Sequence, residues 1–171
     1  NLIQAMIDLV QPKLAIVDAE VWPRAQEPFA VKGLRAGVTI AIGGAPVPGS
    51  VSFTEFIAGQ AGTEPDVEIH SDDIWEILFT SGTTGDPKGV MLTHRNLVAN
   101  VAQTLGGIPA APDDVVIAVL PFFHIYGMQC VMNCGLRAGG TVVTLPRFDL
   151  EQFLRTHQDY RITRSFVAPP I

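Results

Sequence analysis

Leu2, Ile3, Met6, Leu9 and Val10 recur at the spacing of one helix face, and Pro12, which cannot continue a helix, sets its end. Lys13 to Val17 reads as a short strand and Val38 to Ile42 as a second, which the glycine- and proline-rich run Gly43 to Gly49 closes. Between them, Asp18 to Val31 follows neither period and predicts irregular chain around Trp22. Ser52 stands where it can cap a short helix burying Phe53, Phe56 and Ile57. Ile74 to Phe79 and Val90 to Leu92 are apolar segments on either side of a polar loop. Thr93 then caps a helix whose Leu97, Val98, Val101, Ala102 and Leu105 form one stripe, and Gly106 and Gly107 end it.

From Val115 the order becomes regular. Val115 to Leu120 is continuously apolar, the pattern of a strand buried on both faces of a parallel sheet. A helix from about Tyr126 to Leu136 follows, then a strand over Thr141 to Leu145. Asp149, with Gln152 three residues on, has the form of a capping box before Leu150, Phe153 and Leu154, and Thr163 to Val167 is the last strand. Strand, helix, strand, helix, strand with right-handed crossovers implies an α/β fold, a mainly parallel sheet flanked by helices. Ligands of such sheets gather beyond the carboxyl ends of strands, where Pro121 to His124 and Pro146 to Phe148 fall.

The polar loop carries the densest chemistry. In Thr80-Ser81-Gly82-Thr83-Thr84-Gly85-Asp86-Pro87-Lys88-Gly89, the glycines allow successive N–H groups to face one side, the hydroxyls add donors, and Lys88 adds a cation. That set suits phosphate oxygens. A plain hairpin loop whose hydroxyls satisfy its own backbone is the other reading of such a composition. A Walker-type loop is disfavoured, because Pro87 precedes Lys88, Gly89 follows it, and strand formers rather than a helix come next. Asp86 would repel a triphosphate and is expected to face solvent in an Asp-Pro turn.

The string from Thr80 to Lys88 resembles the signature phosphate loop of the adenylate-forming superfamily, which includes acyl- and aryl-CoA synthetases, luciferases and peptide-synthetase adenylation domains. Downstream, Pro121 to Met128 resembles a second core motif of that superfamily, and His124 falls on its histidine. Taken alone, His124 reads as a satisfied, partly buried structural histidine rather than a catalytic one; its place in the motif is what favours the site. His124-Ile125-Tyr126, Cys134 to Arg137, Leu145 to Asp149 and Val167 to Ile171 look like the 4-coumarate-CoA ligase branch and its fatty-acyl neighbours. The resemblance is strong from Asp73 onward and looser before it.

What the resemblance implies is an ATP-dependent acid–CoA ligase, with ATP, Mg²⁺ and coenzyme A as cofactor and co-substrates. Thr80, Ser81, Gly82, Thr83, Thr84, Gly85 and Lys88 would hold the phosphates, and His124 would lie beside the substrate carboxylate and the α-phosphate. Tyr126 and Cys130 would line the acid pocket, and Arg147 would meet the phosphates of coenzyme A; the alternatives are ordinary helix-core residues and a surface cation. Cys130 stands where the plant enzymes usually carry a small hydroxyl residue, which counts against a hydroxycinnamate and leaves aryl and fatty acids both open. The superfamily's Tyr-Gly-x-Thr-Glu motif, ribose-binding aspartate, hinge and small C-terminal lid domain have no counterpart in this sequence. The chain is therefore expected to be an incomplete N-terminal domain over residues 1–171, an internal piece with little catalysis alone, or a non-catalytic nucleotide-binding or structural remnant of such an enzyme.

Composition narrows the partners. The 171 residues are 47% hydrophobic and 16% charged, enough for one buried core. A net charge of −6 leaves no electrostatic footprint for nucleic acid and disfavours anionic membranes. No apolar run reaches the roughly 18 residues of a membrane span, and no targeting leader is visible. Residues 59–73, with Glu64, Asp66, Glu68, Asp72 and Asp73, read as a solvated connector. Cys130 and Cys134 are expected to be reduced thiols of a cytoplasmic protein, since their helical spacing suits neither a structural bridge nor a zinc site. Eight arginines against three lysines add a compositional hint of a bacterial source.

Overall fold

The computed structural model describes residues 2–24, 38–43, 50–80 and 87–169. The chain divides into two compact units, residues 1–68 with 79–90 and residues 69–78 with 91–171, and each carries a three-stranded parallel sheet.

In the first unit, α1 (Leu2–Val10) ends where Pro12 requires. Gln11 takes a left-handed φ of 45° and donates its N–H to Ile7 O at 2.8 Å, closing the helix before the proline. Ile7 is the buried residue, whereas Leu2 and Leu9 are exposed, so the inward row runs through Ile3, Ile7 and Val10. β1 (Leu14–Asp18), one residue later than expected, pairs in parallel with β2 (Val38–Ile42), and β2 pairs with β3 (Val51–Ser52). Ser52 caps α2 (Phe53–Ile57) through a reciprocal capping box with Glu55. The expected burial of Phe53, Phe56 and Ile57 does not occur: they stay 42%, 40% and 49% exposed. A five-residue helix on strands as short as β3 has too little neighbouring surface to cover it. Residues 60–70 have neither helix nor strand and are exposed throughout.

β4 (Ile74–Phe79) and β5 (Gly89–Thr93) form a two-stranded sheet. Its antiparallel sense follows from the flanking bonds, His94 N to Asp73 O and Arg95 N to Ser71 O at one end and Thr80 N to Lys88 O at the other. Thr93 caps α3 (His94–Gly107) with Asn96 completing the box. Leu97 and Val101 are buried, but Val98 is 69% exposed, so the stripe is narrower than the sequence pattern.

The second unit is built on β6 (Val115–Ala118), which lies between β7 (Thr141–Thr144) and β8 (Arg164–Ser165), parallel to both. Val116, Ile117 and Ala118 are 2%, 0% and 4% exposed, as a central strand of apolar residues demands. β6 is two residues shorter than expected, because its ladder to β7 closes at Leu145 N to Ala118 O. β8 is shorter than Thr163 to Val167; at its amino end the Thr163 hydroxyl takes the place of a backbone partner, accepting from Val115 N at 3.0 Å and donating to Asp114 at 2.7 Å. The helix expected over Tyr126 to Leu136 is a π-helical segment, Gly127–Asn133, continuing into α4 (Cys134–Arg137). α5 (Leu150–Asp159) starts with the N-cap half of the predicted box, Asp149 accepting from Gln152 N at 2.8 Å.

Two polar links tie these elements together. His157 Nδ1 meets Phe153 O at 2.8 Å; a carbonyl only accepts, so Nδ1 carries the hydrogen and Nε2 accepts from Ser165 Oγ at 2.6 Å, joining α5 to β8. Asp114 sits at the entry to β6 and accepts from Ala111 N, Thr163 Oγ1 and, at 2.6 Å, Arg164 Nε, while Arg164 also reaches Pro109 O. The two side chains of the pair are 14% and 25% exposed. The Ala111 N–H, with Thr163 and Arg164, holds the Asp114 carboxyl below its ordinary value of 3.8.

Asp114→Ala is expected to lower the melting temperature well beyond Asp72→Ala, whose pair with Arg95 is exposed at 76% and 62%. Because the folded-state carboxyl titrates low, its stabilisation is complete above pH 3.8 and is lost as pH falls below that value. Melting curves of parent and variant should therefore converge in strong acid.

Candidate functional site

Of the proposed phosphate loop, Ser81, Gly82, Thr83, Thr84, Gly85 and Asp86 lie outside the described residues. Thr80 and Lys88 flank them, and Thr80 N donates to Lys88 O at 3.0 Å, so the two strand ends close the mouth of the loop. Both residues are exposed, which leaves the lysine accessible to an anion. Upstream on β4, Glu76 has a buried carboxylate oxygen without a hydrogen-bond partner among the described residues, and burial pushes its carboxyl above the ordinary value of 4.5.

At the carboxyl end of β6 the chain turns tightly, with His124 N donating to Pro121 O at 3.1 Å and Met128 N to His124 O at 3.1 Å. Tyr126 N donates to His124 Nδ1 at 3.1 Å. Nδ1 is thus the acceptor nitrogen, and the neutral ring carries its hydrogen on Nε2. His124 is exposed, so this N–H is available to a carboxylate or phosphate oxygen. Gly127 makes the turn possible. A Cβ on it would lie 2.8 Å from Leu120 O and closer still to Pro121 O. The backbone of the coil therefore rests directly on the carbonyls that leave β6.

Tyr126 and Cys130 converge on Phe166, just beyond β8. The Tyr126 and Phe166 rings meet edge to face at 6.4 Å and 81°. Cys130 and Phe166 line one narrow cleft with Thr104, Val116 and Cys134, and the cleft's volume of about 10 Å³ is room for at most one water. Burial raises both thiols, and Cys130 raises Cys134 further, so both are neutral at neutral pH. Arg147 is exposed on the loop after β7, also at a strand carboxyl end. Lys88 and Thr80 belong to the first unit, and His124, Tyr126, Cys130 and Arg147 to the second.

Sequence reasoning missed Gly127 and Phe166. A glycine directly after His-Ile-Tyr was a usable signal of close backbone approach; Phe166 carried none, because its role comes from the parallel pairing of β8 with β6. A larger cavity of about 580 Å³ opens between α3 and α4, walled by Trp75, Leu97, Val101, Leu105, Leu136 and Arg137 among others. Its size suits a small molecule; Leu136 and Arg137 of the Cys134–Arg137 stretch line it, whereas His124, Tyr126, Cys130 and Arg147 do not. Among the described residues no cluster of three or more His, Cys, Asp or Glu could hold a metal ion, and no helix is long and apolar enough to cross a membrane.

The pattern of the AMP-binding enzyme family matches residues 2–171. The chain is 39% identical over 165 residues to 4-coumarate--CoA ligase 1 of Petroselinum crispum, covering 94% of this chain and 30% of that protein. Among solved structures, apo MatB from Rhodopseudomonas palustris superposes with a TM-score of 0.74 at 30% identity, covering 95% of this chain and 30% of that one. A putative long-chain-fatty-acid CoA ligase from Rhodopseudomonas palustris CGA009 reaches a TM-score of 0.83 at 21% identity, over 98% of this chain and 41% of that one, a likeness of fold alone. The chain thus spans less than half the length of each protein it matches here.

Gly127→Ala should cost about 1–3 kcal/mol, the range for forcing atoms into a packed site, and should disturb the His124 turn selectively; loss of the Tyr126 amide protection in hydrogen exchange is the readout. Glu76→Gln should stabilise the fold at neutral pH, because a carboxyl titrating above 4.5 opposes folding wherever it is ionised. That advantage should vanish below pH 4.5 in melts taken across the acid range.

Proposed function

The chain belongs to the AMP-binding enzyme family, and from that premise we propose that the protein activates a carboxylic acid with ATP and passes it to coenzyme A. An acid oxygen attacks the α-phosphorus, the bond to the β-phosphate oxygen breaks, and pyrophosphate leaves. The coenzyme A thiol, losing its proton, then attacks the carbonyl carbon of the acyl-adenylate, and AMP departs. A carboxylate alone is a poor acyl donor because oxide would have to leave; AMP is the better leaving group.

The observation that carries the reading is His124, whose exposed Nε2–H stands at the carboxyl end of the central strand. Such a donor suits an oxygen that gathers charge during adenylation. Thr80, Lys88 and the intervening residues Ser81 to Gly85 are the proposed phosphate ligands, with Mg²⁺ entering bound to ATP and sharing the charge. Tyr126 and Cys130 form part of the acid wall in this reading, and Arg147 meets the coenzyme A phosphates. Two free, neutral thiols agree with a cytoplasmic setting, and the arginine-rich composition with a bacterial one.

ATP–pyrophosphate exchange by the protein expressed from its complete reading frame, with acids from acetate through long-chain fatty acids to cinnamates and benzoates, tests the reading. Exchange is expected with one acid class. Thr84→Ala and Lys88→Ala should each lower it about a hundredfold, the loss typical of one preorganised donor. Full exchange in both variants would remove the loop from the mechanism, and no exchange with any acid would remove the ligase reading.

A further inference from the structure

The π-helical segment Gly127–Asn133 carries Cys130 and begins beside Tyr126. A π turn bonds residue i to i+5, occurs mostly as a bulge in a longer helix and is frequent at functional sites. Gln129 lies inside this one and bonds to its neighbours. It is 3% exposed, within an otherwise apolar layer. Its Nε2 donates to Leu97 O at 3.1 Å and to Asn100 Oδ1 at 3.3 Å, both on α3, and its Oε1 accepts from Asn133 Nδ2 at the segment's last residue. Both donors and the acceptor are thereby occupied, inside a core where an unpaired amide would be costly.

We propose that Gln129 is a positioning residue for the acid wall: by clamping the π segment to α3, it sets the rotation at which Tyr126 and Cys130 meet the acid. The inference rests on the acid-activating function proposed above. Tyr126 and Cys130, four residues apart, share one side of the coil, and Gln129 and Asn133, also four apart, share the adjoining side. Collapse of the π turn into an α-helix would turn its two ends against each other by about 100°, the angle of one residue at 3.6 per turn. The Tyr126–Phe166 edge contact and the Cys130 side of the cleft would not survive that rotation. The effect would fall on recognition of the acid rather than of ATP.

In the protein expressed from its complete reading frame, Gln129→Leu keeps the volume and removes all three hydrogen bonds. Its kcat/KM for the preferred acid should fall about a hundredfold, the loss that an ångström-scale misplacement produces. The ranking of acids should change while KM for ATP stays that of the parent. Ile7→Ala, a truncation of a buried residue in the first unit, controls for general destabilisation and should leave the ranking unchanged. Where Gln129→Leu does not fold, Asn133→Ala, which removes the Oε1 partner, should shift the ranking the same way. An active parent with an unchanged ranking in the folded variant overturns the clamp and leaves the ligase reading standing. A parent with no acid-dependent exchange overturns both.

Discussion

Ile117 has no exposed surface, and Val116 and Ala118 on either side of it are nearly as buried. A strand enclosed on both faces can present chemistry only at its ends, and the second unit uses both ends. At the entry, Asp114 gathers Ala111, Thr163 and Arg164, so the amino end of β6 and the start of β8 share one polar knot. At the exit, the chain turns at Pro121, presents His124, and starts a coil pressed back onto the carbonyls it has just left.

That close return explains why a glycine stands at position 127 without any unusual backbone angle. What it supplies is room: any side chain would collide with Leu120 and Pro121 main-chain oxygen. The contact also fixes where the helical coil begins, and the Gln129 amide fixes how it is rotated against α3. Between these restraints, the Tyr126 amide is free to hold the His124 ring in one tautomer. A backbone contact and a buried amide thus control the presentation of two side chains that touch neither.

Much of this arrangement was legible from local pattern. The Thr93 and Ser52 caps, the extent of β4 and the alternation of strand and helix after Val115 all appear where residue spacing puts them. Burial was read less well. Val98 lies on the apolar stripe of α3 and is 69% exposed, and the three apolar residues of α2 are uncovered, since periodicity names a face without naming what covers it. Strand ends were overrun for a related reason: Val119 and Leu120 are as apolar as the residues before them, and where β6 stops depends on its pairing with β7, not on its own composition.

By itself the sequence determined the parallel α/β alternation, the loop of glycines and hydroxyls ending in Lys88, and the histidine at a strand's carboxyl end, because each follows from propensity or spacing within a few residues. The tertiary structure alone decided the π-helical coil, the partnership of Tyr126 and Cys130 with Phe166, and the role of Gln129. Those depend on contacts between residues some thirty to forty positions apart, Gln129 with Leu97 and Tyr126 with Phe166, whose meeting is set by packing on β6 and leaves no period in the chain.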